Sequence, residues 1–194
     1  MIYILCAFEA EARALLDAYK LQKRETEPFK LFVNDEILVI ISGMGQDKAK
    51  NALEYLLLNH PNTQKDIFIN LGTCAGQKEF SIGELVQVKQ LQNKEESHLL
   101  CTNFSSLRSV TCFSSTLPLD RPTPTDIAEM EAMAIYTVVS QYFPLKQISF
   151  LKIISDNFNP IRHSKSFIIE LTTRNINTIK KHIKQIQENK DECC

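Results

Sequence analysis

The chain has 194 residues, a formal net charge of −1, and 44% hydrophobic and 23% charged residues. This length suits a single domain over residues 1–194, and the composition is that of a folded protein rather than a disordered one. The charge balance lacks the basic excess of nucleic-acid-binding proteins, and no apolar run approaches the roughly 20 residues that a membrane span requires. We therefore expect a protein that binds neither nucleic acid nor membrane.

Six cysteines stand at positions 6, 74, 101, 112, 193 and 194. They form no C-x-x-C pair and have no histidines at metal-ligand spacing, so they indicate neither a zinc site nor a thioredoxin-like motif. Met1 leads directly into a strand-like run without a basic leader. These features predict a cytoplasmic protein with reduced thiols and no metal.

The first half of the chain alternates strand-like and helical patterns. An apolar run at residues 1–6 predicts a strand, and the apolar spacing over residues 9–21 predicts a helix. Runs at 29–33 and 37–42 predict a hairpin around a polar three-residue break. A helix over 46–58, stopped by Pro61, then precedes an apolar strand at 66–71, and Gly72 is expected to begin the loop that leaves this strand.

The second half continues the alternation. Strands are predicted at 83–90, 108–113 and 148–154, while residues 91–107 show no clear pattern. Pro124 and the capping pair Asp126 and Glu129 predict a helix over 126–142, and a stripe of isoleucines predicts a terminal helix over 166–190. The expected fold is α/β, with three αβα layers around a central mixed, largely parallel twisted sheet.

All five glycines lie between positions 43 and 83. Two glycine-containing segments, residues 42–45 and 72–76, each follow an apolar strand, which is where open α/β sheets bind ligands. The segments indicate either a small-molecule site or two ordinary turns. A dinucleotide fingerprint would need a glycine where Lys48 stands, and the Gly-Lys-Ser/Thr ending of a phosphate-binding loop is absent, so no cofactor is indicated.

Three carboxylates attract attention by their positions. Glu131 falls within the apolar stripe of its predicted helix, and a buried carboxylate must be paired or serve a ligand. Asp156 directly follows a strand, where a functional role and an Asx turn are both open. Glu11, in the first turn of a helix, is also explained by the helix dipole. Glu11, Ser42, Thr73 and Asp156 each follow a different predicted strand, so one sheet edge could collect them, with Glu131 reaching over from its helix.

Five segments, in this order along the chain, resemble the methylthioadenosine/S-adenosylhomocysteine nucleosidases of the nucleoside phosphorylase superfamily. They are AFEAEA at 7–12, SGMG at 42–45, INLGTCAG at 69–76, EMEA at 129–132 and ISD at 154–156. The resemblance implies a nucleoside phosphorylase-like fold and a purine nucleosidase that hydrolyses the N-glycosidic bond of a 5′-substituted adenosine. It also implies a homodimer in which the neighbouring subunit helps to close the site.

The resemblance implies a role for each carboxylate. Asp156 would protonate N7 of the leaving purine, Glu11 would position or activate water, and Glu131 with Met130 would hold the ribose hydroxyls. These residue types suit the expulsion of a base from an oxocarbenium-like sugar. Further substrate contacts are implied for Met44, Thr73, Cys74, Ala75, Gly76 and Ser155.

The chain departs from the family pattern where the base-binding loop is expected. Residues 91–125, which should include this loop, are shortened, and Lys152 takes the place of the basic residue before the ISD segment. Futalosine hydrolysis, phosphorolysis and nucleoside binding without efficient turnover stay open as alternatives. Phosphorolysis would need cations for phosphate, yet residues 67–76 contain no arginine, and Arg13 is the one candidate elsewhere. The sequence also leaves the 5′ substituent open.

Overall fold

The computed structural model describes residues 1–24, 27–101, 106–159 and 163–189. Its described part contains one ten-stranded sheet with four α-helices. The strands are β1 (Ile2–Cys6), β2 (Gln22–Arg24), β3 (Lys30–Val33), β4 (Ile37–Ile41), β5 (Ile67–Gly76), β6 (Leu85–Gln92), β7 (Ser97–Leu99), β8 (Arg108–Ser114), β9 (Ile127–Glu129) and β10 (Ile148–Asp156). The helices are α1 (Glu9–Ala18), α2 (Gln46–Asn59), α3 (Ala132–Val139) and α4 (Lys165–Asn189).

The centre of the sheet is parallel. Strand β1 lies between β4 and β5, so that Ile4 pairs with Val39 on one side and with Ile69 on the other. Strand β10 pairs in parallel with the other edge of β5. These strands are almost continuously apolar because helices cover both of their faces. Their carboxyl ends consequently point to the same edge of the sheet.

One part of the sheet closes on itself. Strand β5 pairs with β10, β10 with β6, β6 with β8, β8 with β9, and β9 returns to β5. The expectation of a mixed sheet is confirmed, but the description as a largely parallel twisted sheet is only partly right. Five strands form a closed barrel, and five of the ten pairings in the described residues are antiparallel.

Helices cover the sheet on both sides, as the expected three layers require. Helices α2 and α3 pack together in one apolar core, while α1 and α4 pack together in a second. The predicted isoleucine stripe of α4 is confirmed, since Ile179, Ile183 and Ile186 are all buried. The sheet therefore has a rigid support on each face, and its carboxyl edge is left to form a site.

Two element predictions are wrong near that edge. The predicted helix over 126–142 begins only at Ala132, because Ile127 and Ala128 pair as β9 with both β5 and β8. Helical spacing alone missed this, since a three-residue strand leaves no periodicity to detect. Gly72 does not begin a loop either, because β5 continues to Gly76. Long-range pairing overrides the local turn signal of the glycines.

The cysteines in the described residues match the expected reduced thiols only in part. Cys6, Cys74 and Cys112 are free and buried as expected, whereas Cys101 is disulfide-bonded, so the expectation of reduced thiols throughout is wrong. Cys193 and Cys194 lie outside the described residues.

None of the described helices combines the length and apolar character needed to cross a bilayer.

Candidate active site

A cleft of about 180 Å³ opens at the carboxyl edge of the sheet. It brings together nine of the ten residues that the sequence and the resemblance single out. These are Glu11, Met44, Thr73, Cys74, Ala75, Met130, Glu131, Ser155 and Asp156. Ala7, Phe8, Leu117, Pro118, Leu119, Ala128 and Glu129 complete the lining. The lining residues are spread along the chain from Ala7 to Asp156, so it is the fold that brings them together.

Glu11 is held firmly at the base of the cleft. Its side chain belongs to the first turn of α1, and its residue is only 3% exposed. Oε1 accepts hydrogen bonds from the backbone N–H of Thr73 at 2.8 Å and from the Thr73 hydroxyl at 3.0 Å, while Oε2 accepts from the N–H of Phe8 at 2.9 Å. Because a carboxylate has about four acceptor positions, Oε2 keeps one for a further donor such as water.

Behind the cleft lies a buried ion pair that sequence reasoning missed. Lys152 Nζ stands 3.0 Å from Glu129 Oε2, and the two side chains are 2% and 1% exposed. The Glu129 carboxylate also accepts hydrogen bonds from the backbone N–H groups of Glu131 and Ala132, so it caps the start of α3. Although burial alone lowers the pKa of Lys152, the Glu129 carboxylate raises it above its ordinary value. The lysine is therefore a fixed positive charge at neutral pH.

A sequence signal for this pair did exist. Lys152 interrupts an otherwise apolar strand, and a buried lysine requires an anionic partner. The partner itself could not be identified from the sequence, because Glu129 is distant along the chain and was assigned to a helix.

Glu131 reaches the cleft by a route that differs from the expected one. It does not lie on an apolar helix face but immediately precedes α3, where it is half-buried. Its Oε1 accepts the backbone N–H of Gly45 at 2.8 Å, which links the site to the turn before α2. Burial and the nearby Glu129 carboxylate raise the pKa of Glu131 to about 7, against the opposing effects of Lys152 and the Gly45 hydrogen bond. Its charge therefore changes near neutral pH.

Asp156 is the last residue of β10 and also lines the cleft. Oδ2 accepts the Ser155 hydroxyl at 3.0 Å, and Oδ1 accepts the backbone N–H of Asn159 at 3.2 Å. The second bond is the local turn contact that the sequence left open as an alternative. The carboxylate therefore makes the turn contact and faces the cleft as well.

Cys74 and Gly76 contribute to the walls in different ways. Cys74 lines the cleft, but burial raises the pKa of its thiol well above the ordinary value, so the sulfur stays protonated and unreactive. Gly76 is not part of the lining, which leaves its predicted substrate contact without support. A Cβ there would lie 2.9 Å from Ile154 Cδ1, so the residue is small because β5 passes close to β10.

The loop that follows β8 supplies an apolar wall. Leu117, Pro118 and Leu119 line the cleft and fall within the shortened segment where the base-binding loop was expected. Phe8 and Met44 also line the cleft and are 47% and 50% exposed. The cleft thus combines flat apolar surface with convergent polar groups, a combination suited to a nucleoside-sized ligand.

The charged side chains in the described lining are all acidic. Four of its described residues are carboxylates, namely Glu11, Glu129, Glu131 and Asp156, and the part of the lining that the structure describes holds no lysine, arginine or histidine. Arg13, the candidate phosphate ligand, pairs instead with Glu9 on the outer side of α1. Nor do the described residues contain a group of three or more His, Cys, Asp or Glu side chains placed to hold a metal ion. An anionic co-substrate would meet repulsion here.

Comparison with solved structures gives many close matches in fold. The nucleosidase structure from Arabidopsis thaliana, described as 5′-methylthioadenosine nucleosidase in apo form, superposes with a TM-score of 0.78 at 17% identity, covering 95% of both chains. The fold is that of the methylthioadenosine/S-adenosylhomocysteine nucleosidases. This nucleosidase fold confirms the resemblance in architecture that the five ordered sequence segments indicated.

Two further structures with the nucleosidase fold contain ligands. The Helicobacter pylori 5′-methylthioadenosine/S-adenosylhomocysteine nucleosidase with butyl-thio-DADMe-Immucillin-A has a TM-score of 0.77 at 15% identity and covers 95% of this chain and 97% of that one. The Streptococcus pneumoniae MTA/SAH nucleosidase with 8-aminoadenine has a TM-score of 0.75 at 17% identity, with 95% and 99% covered. No protein-family model and no curated protein sequence matches the chain.

Proposed function

We propose that the chain hydrolyses the N-glycosidic bond of a 5′-substituted adenosine, methylthioadenosine or S-adenosylhomocysteine, and releases the free base and the sugar. The observation that carries the proposal is the meeting of Glu11, Glu131 and Asp156 around one cleft. The nucleosidase fold supports it, since proteins with this fold have been crystallised with an immucillin inhibitor and with an adenine derivative.

In the proposed reaction Asp156 donates a proton to N7 of the purine as the bond to the sugar breaks. The proton makes the base a better leaving group, which is the ordinary task of a general acid. Ser155 and Asn159 fix the two oxygens of this carboxyl group, so its direction towards the cleft is set before substrate binds. Such preorganisation lowers the cost of reaching the transition state.

Glu11 and Glu131 serve the sugar side. The one acceptor position that Glu11 Oε2 retains suits a water molecule, whose proton it would take as the water attacks the anomeric carbon. Both carboxylates also stabilise positive charge that develops on the sugar. In its ionised form Glu131 accepts hydrogen bonds from the ribose hydroxyls. Met130 lies beside it in the lining. Thr73, Cys74 and Ala75 form the wall beneath base and sugar.

Hydrolysis is favoured over phosphorolysis by the charge of the cleft. Among the described lining residues a phosphate ion would meet four carboxylates and no cationic side chain, while water carries no charge. Lys152 compensates the charge of Glu129 alone, because its ammonium group is buried against that carboxylate, so Glu11, Glu131 and Asp156 still make the cleft acidic. We therefore propose water as the acceptor and no cofactor.

We also propose that the protein acts as a cytoplasmic homodimer. Phe8, Met44 and Leu117 are exposed apolar residues at the cleft, with exposed fractions of 47%, 50% and 69%. A neighbouring subunit that covered them would remove this surface from water and close the site. Size-exclusion chromatography with light scattering tests the dimer, and a monomer at enzymatic concentrations would contradict it.

The test of the proposed function is release of free base from a panel of nucleosides. Methylthioadenosine, S-adenosylhomocysteine, adenosine, inosine and futalosine are each incubated with the protein, with and without phosphate. We expect release from the 5′-thio nucleosides that does not depend on phosphate. Preferred release of hypoxanthine from futalosine would identify a futalosine hydrolase, and a requirement for phosphate would identify a phosphorylase.

The alternative from a different functional class is a protein that binds nucleosides without hydrolysing them. It predicts a thermal shift with adenine or methylthioadenosine but no free base from any nucleoside of the panel. The proposed enzyme gives both the thermal shift and the release.

A further inference from the structure

A histidine outside the cleft contacts the proposed proton donor. His163 is the second residue before α4, and Ser164 behind it caps the helix by accepting the N–H of Phe167 at 3.2 Å. The His163 ring stacks on the Phe167 ring, with centroids 4.9 Å apart and planes 29° apart. The start of α4 therefore fixes both the position and the plane of this imidazole.

The contact joins the imidazole to the carboxylate. His163 Nε2 lies 3.5 Å from Asp156 Oδ2, the same oxygen that accepts the Ser155 hydroxyl. Asp156 lines the cleft, whereas His163 is not among the residues that line it and its side chain is 23% exposed. The imidazole is therefore partly exposed to water and contacts the carboxylate from outside the described lining of the cleft.

We propose that His163 is a positioning residue that relays a proton from solvent to Asp156 and stabilises the carboxylate when that proton has been given away. This proposal rests on the proposed function, because it concerns the acid that the nucleosidase reaction needs. Imidazole groups exchange protons with water near neutral pH, whereas carboxyl groups as a class are ionised there. A carboxyl group that must begin each turnover protonated gains from such a neighbour.

The protons of one turnover balance. Asp156 gives its proton to N7 of the purine as the N-glycosidic bond breaks, and the attacking water gives one proton to Glu11, which returns it to solvent. The imidazolium of His163 then passes its Nε2 proton to Oδ2 of Asp156 and becomes neutral. A proton from solvent restores the imidazolium, so hydrolysis as a whole neither consumes nor produces protons.

The described surroundings of His163 include one ionisable contact and one aromatic contact. Among the described residues, Asp156 is the ionisable side chain in contact with the ring, and Phe167 is its aromatic neighbour.

The test is the pH dependence of kcat/KM for base release in His163→Gln. We expect the alkaline limb to move to lower pH, with a roughly tenfold loss at pH 7.5 and little loss near pH 5, because carboxyl groups as a class take up protons directly from solvent in acid. In His163→Ala, added imidazole should restore part of the rate at pH 7.5. A loss that is uniform across pH, or no loss at all, would overturn the proposal.

His98→Gln provides a matched control. His98 Nε2 also pairs with a carboxylate, Glu96 Oε2 at 3.0 Å, and its ring also packs against an aromatic ring, in a tilted arrangement, but it lies on β7 outside the cleft lining. We expect this variant to keep the profile of the unaltered protein and to show no response to imidazole. If the unaltered protein releases no base from any nucleoside, the proposed function fails; an active protein whose His163 variants keep its profile refutes the relay alone.

Discussion

Replacing Glu131 by glutamine should make the protein more stable at alkaline pH while impairing its activity. Glu131 is half-buried beside the Glu129 carboxylate, and its pKa is raised from an ordinary 4.5 to about 7. The ionised form of Glu131 is therefore less stable in the folded chain than in the unfolded chain. Glutamine keeps the oxygen that accepts the Gly45 N–H but carries no charge.

The magnitude follows from the difference between the two pKa values. A carboxyl group whose pKa is raised by folding contributes stability that is fully present below pH 4.5 and is lost as the pH rises through about 7. Each pH unit between these values corresponds to about 1.4 kcal/mol, so ionisation of Glu131 lowers the free energy of unfolding by about 3 kcal/mol at pH 8. Glu131→Gln removes this loss.

Urea unfolding of both proteins between pH 4.5 and pH 8 provides the assay. The free energy of unfolding of Glu131→Gln should exceed that of the unaltered protein by an amount that grows with pH, reaching about 2 to 3 kcal/mol above its value at pH 4.5. Glu54→Gln, at an exposed position on α2, should show no such trend. A difference that is constant with pH, or that shrinks as the pH rises, would refute the reasoning.

Three further predictions concern the same region. Lys152→Met should lower the free energy of unfolding by about 3 to 5 kcal/mol, because it leaves Glu129 charged and unpaired in the interior, and adding Glu129→Gln should recover much of the loss in urea unfolding. The KM for methylthioadenosine should rise about tenfold between pH 8 and pH 6, as Glu131 takes up a proton, and an unchanged KM would contradict its proposed role. Gly76→Ala should cost about 1 to 3 kcal/mol of stability, because its Cβ would lie 2.9 Å from Ile154, and an unaltered melting temperature would contradict this.

The parts of the fold that could be predicted are those with a strong local pattern. The apolar runs of β1, β4 and β10 and the isoleucine stripe of α4 each appear in the sequence with nearly the bounds that they have in the structure. The alternation of these elements also predicts helices on both faces of a mixed sheet. The single-domain assignment stays a prediction.

The features that could not be predicted depend on distant pairing. Barrel closure requires β9, a strand of three residues whose local pattern continues into that of a helix. The same error placed Glu131 on a helix face, although the conclusion that it joins the site agrees with the cleft lining. The ion pair of Glu129 and Lys152 was missed for a related reason, since no local pattern connects two residues from different elements.

The site residues show the value and the limit of motif resemblance. Nine residues chosen from five separate segments meet in one cleft, which no single motif could guarantee. Gly76 does not join them, because its small size serves the contact between β5 and β10. His163 could not be found from the sequence, since its relation to Asp156 depends on where α4 begins.

The proposed function requires that this cleft breaks an N-glycosidic bond with Asp156 as the proton donor. It is tested by the steady-state rate of adenine release from methylthioadenosine in phosphate-free buffer by the unaltered protein and by Asp156→Asn. We expect release by the unaltered protein and a loss of roughly a hundredfold or more in the variant, with the melting temperature preserved. Equal rates in the two proteins, or release only after phosphate is added, would contradict it.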